Sequence, residues 1–162
     1  MTRRPVLIGL IALALTALAG CGFQLRGLHQ PELALSEISL SANVSPFSEE
    51  VRRTLESAGT DVVDDADLRL NLGDERLGES RLTRSDSGSR ETEITLTAPF
   101  SVQRASDSAY LLNQQRLEVS TTVLLSTDDL YSVDQVRSEA IQRLRRDAAN
   151  QLIDRLTALK SQ

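Results

Sequence analysis

Few side chains in this chain have the chemistry to make or break bonds. It holds one cysteine, Cys21, and one histidine, His29. A thiolate or hydroxyl nucleophile needs a base beside it, and the base needs a third group to orient it. Residues 21–36 show no clean hydrophobic period and contain Gly27 and Pro31. They are predicted to be an extended tether, which cannot hold His29 rigidly against a partner. One histidine and one cysteine do not make the ligand spacing of a metal site. Asp64-Asp65 and Asp128-Asp129 are adjacent carboxylates in loop-like sequence, where acids are solvated and do not face each other across a substrate. There is no glycine-rich phosphate loop. Neither catalysis nor a metal or cofactor is expected.

Cys21 has a different use. Arg3 and Arg4 precede an uncharged run from Val6 to Ala19, and the small residues Ala19 and Gly20 follow. This is the layout of a secretory signal, so residues 1–20 are expected to be removed. The run has 14 residues, whereas a membrane-crossing helix needs about 20, which disfavours a transmembrane anchor. Leu18-Ala19-Gly20-Cys21 resembles the lipobox of bacterial lipoprotein precursors. That resemblance implies an S-diacylglycerol, N-palmitoyl cysteine at position 21, and so an anchor of several acyl chains in a bilayer. Gly22, in place of Asp, resembles an outer-membrane address. The alternative is an ordinary signal with a chance cysteine nearby.

Binding chemistry remains. Without Arg3 and Arg4 the chain keeps 16 basic and 23 acidic residues, a net charge of −7. It has no Trp, three Phe and two Tyr. An acidic chain poor in aromatics is not expected to bind nucleic acid. Arg76, Arg81, Arg84 and Arg90 nevertheless gather around one predicted turn. Arg84 and Arg90 are candidate contacts for phosphate or carboxylate groups, as on a glycolipid, since guanidinium groups bind such anions with two parallel hydrogen bonds. The competing expectation is that these arginines pair with Asp74, Glu75, Glu79, Asp86, Glu91 and Glu93 in the same region.

The elements that position these groups follow from periodicity. Ile38, Leu40 and Ala42 alternate with serines, which predicts a short strand. Ser45-Pro46 opens a helix, because Ser45 can cap it and proline suits its first position. Phe47, Val51, Leu55 and Ala58 give that helix one apolar stripe, and Gly59 ends it. Leu68, Leu70 and Leu72 begin a second strand, read as running to about Leu82. Leu77 has the opposite parity, which places a bulge near Gly73 or Gly78. Ile94, Leu96, Ala98, Phe100 and Val102 alternate cleanly in a third strand, where Pro99 marks an edge or a bulge. Leu117, Val119, Thr121, Val123 and Leu125 form a fourth. Ser132 and Gln135 fit a capping box, from which the last helix runs to Leu159. The order is β-α-β-β-β-α. The predicted fold is α+β, a two-layer sandwich with two helices on one face of a four-stranded mixed sheet, within a single domain over residues 37–160.

Cys21-Gly22-Phe23-Gln24-Leu25-Arg26-Gly27 resembles the opening of the LptE family of lipopolysaccharide-assembly lipoproteins. The helix from Phe47 to Leu55 and the closing segment Arg145-Arg146-Asp147-Ala148-Ala149-Asn150-Gln151-Leu152 are similar as well. The tail after Leu159 and the connection Ser126–Ser132 are short for the family. The resemblance implies a lipid-anchored outer-membrane subunit of the lipopolysaccharide translocon. It implies a plug and assembly partner of the β-barrel LptD, and delivery of lipopolysaccharide to the outer leaflet. The other reading is a free-standing, periplasm-facing lipoprotein that binds glycolipid without a barrel.

Overall fold

The computed structural model describes residues 35–82, 89–126 and 130–160. Cys21, His29, Arg84, Asp86 and the pair Asp128-Asp129 lie outside them. The elements are β1 (Glu37–Ala42), α1 (Pro46–Ser57), β2 (Asp61–Val62), β3 (Leu68–Leu72), β4 (Arg76–Arg81), β5 (Ser89–Arg104), β6 (Tyr110–Ser126) and α2 (Leu130–Lys160). The α+β class and the two helices agree with the sequence reading. The sheet does not: it has six strands, not four.

Two local causes account for the extra strands. The expected second strand breaks at Gly73–Glu75 into β3 and β4. Both halves pair antiparallel with the same side of β5, Leu72 opposite Phe100 and Arg76 opposite Thr97. Gly73, Asp74 and Glu75 therefore face only Ala98 and Pro99. The one surplus residue is the bulge that the parity of Leu77 requires, and it returns Leu77 to the helix side, opposite Leu96. Gly73 donates its N–H to the Pro99 carbonyl at 2.9 Å. A Cβ on Gly73 would come within 2.6 Å of Pro99 Cγ, so the close approach requires glycine. The other addition, β2, is two residues long and pairs parallel with β1. Two residues are too few to show a hydrophobic period.

Across the sheet the order is β2, β1, β3, β5, β6, with β4 continuing beyond β3 along β5. β1 and β3 are parallel and the β5–β6 hairpin is antiparallel, so the sheet is mixed. Thr92, Ile94, Leu96, Ala98, Phe100 and Val102 are all buried, as the alternation predicts. Ile94, Leu96, Ala98, Phe100 and Val102 meet Val51 and Leu55 of α1 and Leu144, Ala148, Leu152 and Leu156 of α2 in one core. Each fully buried Leu or Val stabilises the fold by about 1.5–3 kcal/mol. The odd-numbered residues of β5 face the other side, which carries no helix among the described residues.

Helix ends follow local chemistry. Ser48 N–H donates to Ser45 Oγ at 3.1 Å and Ser45 N–H donates to Ser48 Oγ at 2.9 Å, a reciprocal cap. At the other end of α1, Gly59 has φ +83°. Gly59 N–H reaches Glu56 O and Thr60 N–H reaches Leu55 O, each at 3.1 Å. That is the double closure for which a left-handed glycine is suited. The reading of Ser132 as the cap of α2 is corrected, since α2 starts at Leu130 and Ser132 lies inside it. Tyr131, in the added turn, is exposed, so no apolar period marks this start of the helix.

Candidate functional site

The far end of the β4–β5–β6 ladder gathers three arginines. Arg81 is opposite Thr92, and Arg90 is opposite Leu125, all on the helix side of the sheet. Arg137 reaches the same place from α2. With Glu79 these residues line a cavity of about 260 Å³. Glu79 and Arg137 form a two-pronged ion pair, Nε to Oε1 at 2.8 Å and Nη2 to Oε2 at 3.1 Å. Among the described residues Arg81 and Arg90 have no ion-pair partner. Three guanidinium groups against one carboxylate leave this lining at +2, in a chain that is otherwise acidic.

The predicted contest between arginines and acids is thus resolved in part. Glu75 pairs with Arg145 of α2, and Glu79, which lines the same cavity as the hairpin arginines, pairs with Arg137. Neither acid pairs with Arg81 or Arg90, and Asp86 lies outside the described residues. The structure brings Arg90 into the cavity, while Arg84 lies outside the described residues. Arg137 is a residue of this cavity that the sequence did not single out.

The cavity combines anion chemistry with nearby apolar surface. Guanidinium groups and the buried Thr92 hydroxyl suit a phosphate or carboxylate, and Leu125 supplies an apolar wall. Leu77, Leu82, Leu124 and Tyr131 are exposed at this end of the molecule. Leu82 N–H donates to Glu91 O, and Glu91 is opposite Leu124, so the two leucines flank one row on the open sheet face. At the opposite end of the hairpin Asp107 holds a turn. It accepts from Ala109 N–H at 3.1 Å and pairs with Arg104 at 3.0 Å. The backbone hydrogen bond and the guanidinium both hold its carboxyl below the usual range.

No group of three or more His, Cys, Asp or Glu side chains among the described residues is placed to hold a metal ion. Asp64 and Asp65 sit exposed in the loop between β2 and β3. No helix among the described residues is long and apolar enough to cross a membrane.

A family model described as LptE, lipopolysaccharide assembly, matches residues 35–156. The chain belongs to the LptE family. Solved structures share the fold. Rare lipoprotein B from Shewanella oneidensis superposes with a TM-score of 0.66 at 19% identity, covering 77% of this chain and 96% of that one. A lipoprotein B from Nitrosomonas europaea gives 0.65 at 20% identity, covering 86% and 93%. A minor lipoprotein from Acinetobacter baumannii gives 0.64 at 15% identity, covering 77% and 92%. No curated protein matches the chain by sequence. The LptE family match covers α1, all six strands and α2 as far as Leu156, including Arg81, Arg90 and Arg137.

Proposed function

We propose that this LptE-family chain is a non-catalytic lipoprotein subunit of the outer-membrane machinery that assembles lipopolysaccharide. The family match over residues 35–156 carries this reading. In it, residues 1–20 are a cleaved signal and Cys21 is the lipid-modified first residue. Residues 21–36 tether the domain of residues 37–160 to the bilayer. The partner is the LptD β-barrel, which the chain plugs and helps to assemble. A barrel lumen is polar, and the open sheet face, with Thr95, Thr97 and Thr122, is polar to match.

The cavity of Arg81, Arg90 and Arg137 is the lipopolysaccharide contact in this account, with Arg84 as a further candidate. Phosphate groups on the sugar head would take the guanidinium groups. The same cavity would also serve a free-standing glycolipid binder, so the barrel is the point at which the two readings part.

The test is site-specific photocrosslinking in living cells. A probe at position 84 or 90 is expected to capture lipopolysaccharide. A probe at position 122, or in the 126–132 connection, is expected to capture a large barrel protein. Capture of neither would reject the translocon reading. Lipopolysaccharide without a barrel would favour the free-standing binder.

A further inference from the structure

We infer that the cleft over the bulged end of the open sheet face is a binding site for an uncharged sugar ring. It lies away from the arginine cavity and does not rest on the reading given to that cavity. Its volume is about 550 Å³, and it opens broadly to solvent. Its floor is one transverse row of the sheet. Ser41 is opposite Asn71, and Asn71 is opposite Ser101. Ser101 in turn faces two residues of β6, Asn113 and Gln114, at a second bulge.

No charged side chain lines this cleft, although a quarter of the chain is charged. The nearest charge is Asp74 at the rim, whose carboxylate accepts from Asn43 Nδ2 at 3.0 Å, and an anion would find no counter-charge in the cleft. Amides and hydroxyls, which donate and accept at once, match the hydroxyl groups of a sugar. Tyr110 stands at one side of the cleft, and an aromatic ring there offers an apolar face to the C–H side of a pyranose while its hydroxyl stays wet.

Two details show a built site. Asn71 Nδ2 donates to Ser101 Oγ at 3.2 Å and to Gln103 Oε1 at 3.0 Å. Its amide is thereby fixed, with the carbonyl oxygen left to accept. Gln114 has φ +47°, a left-handed conformation that a residue with a side chain enters at a cost. Strained bulge residues commonly re-aim a side chain beside a binding site. Glycine would relieve that strain; glutamine keeps an amide at the rim.

The test titrates the isotope-labelled full chain in detergent micelles and follows amide and side-chain NH₂ resonances. The probes are a lipid-free, phosphate-free core oligosaccharide released from lipopolysaccharide, maltotriose, and inorganic phosphate. Both sugars are expected to shift Asn71, Asn113, Gln114 and Tyr110, and phosphate is not. A response to the core oligosaccharide alone would identify a glycolipid head as the source, and an equal response to both would indicate a generic saccharide site. Gln114→Gly, whose backbone suits the position, and Tyr110→Ala, at a half-exposed position, are each expected to weaken sugar binding about tenfold, or about 1.4 kcal/mol. Absence of sugar shifts, or equal affinity in both variants, would overturn the assignment.

Discussion

Arg145 of α2 holds both carboxylate oxygens of Glu75, with Nε 3.0 Å from each and Nη2 2.5 Å from Oε1. Glu79 and Arg137 repeat the arrangement further along. The spacings match. Eight residues of helix rise about 12 Å, and four residues of extended chain span about 13 Å. β4 pairs only with β5, and its helix-side Leu77 is half exposed. Two ion pairs, and little apolar contact, therefore tie this edge strand to the helix.

The inner pair is the stronger. Arg145 and Glu75 are 20% and 14% exposed, against 37% and 40% for Arg137 and Glu79. Arg145→Ala is expected to cost about 1–3 kcal/mol, since it strands a mostly buried carboxylate. Arg137→Ala is expected to cost about 0–1 kcal/mol, as at exposed pairs. Denaturant midpoints of the two variants, with Glu75→Gln to complete a double-mutant cycle, check the order.

Gly73→Ala places a methyl group against Pro99 and is expected to cost about 1–3 kcal/mol by overpacking. Pro99→Ala in the same chain removes the obstructing ring atoms and is expected to restore part of that loss. Thermal unfolding of the single and double variants measures it. Additive losses would show that the bulge does not depend on this contact.

The Asp107 turn has a defined pH response. Its carboxyl is held below its ordinary value, so the stabilisation is fully present above the unfolded value and is lost as pH falls through the folded one. The turn is expected to hold from neutral pH down through the ordinary carboxylate range and to loosen below it. An NMR titration of Asp107 reads the midpoint directly, and Arg104→Ala is expected to move it upward.

The arginine cavity makes opposite predictions for opposite charges. Arg81→Ala and Arg90→Ala are each expected to weaken lipopolysaccharide binding several-fold, and rising salt is expected to weaken it further. Glu79→Gln removes the one carboxylate and is expected to tighten binding. Calorimetric titration of the full chain with lipopolysaccharide micelles separates these outcomes. Tighter binding on loss of either arginine would remove the cavity from the account.

Where a segment packs on one face, its sequence shows it. Ile94 to Val102 and Phe47 to Ala58 alternate or recur at the right period, and the structure buries the residues that the period selects. The parity of Leu77 located the bulge, but a phase slip does not say whether a strand bends or breaks. Here the contact of Gly73 with Pro99 breaks it. β2 has two residues, below any period. The arginine cavity was half legible. Arg81 and Arg90 stand out as a basic cluster in an acidic chain, whereas Arg137 joins them only because α2 crosses β4. The four-residue spacing of Glu75 and Glu79, set against the eight of Arg137 and Arg145, was the available signal. It becomes readable only once strand and helix are known to lie side by side.

The central claim is membership of an outer-membrane lipopolysaccharide assembly, and purification of the lipid-modified full chain from solubilised outer membranes tests it most directly. The account predicts co-purification of a large β-barrel protein in equal stoichiometry, together with lipopolysaccharide. Recovery of the chain without any barrel partner, under conditions in which other outer-membrane complexes stay intact, would contradict it.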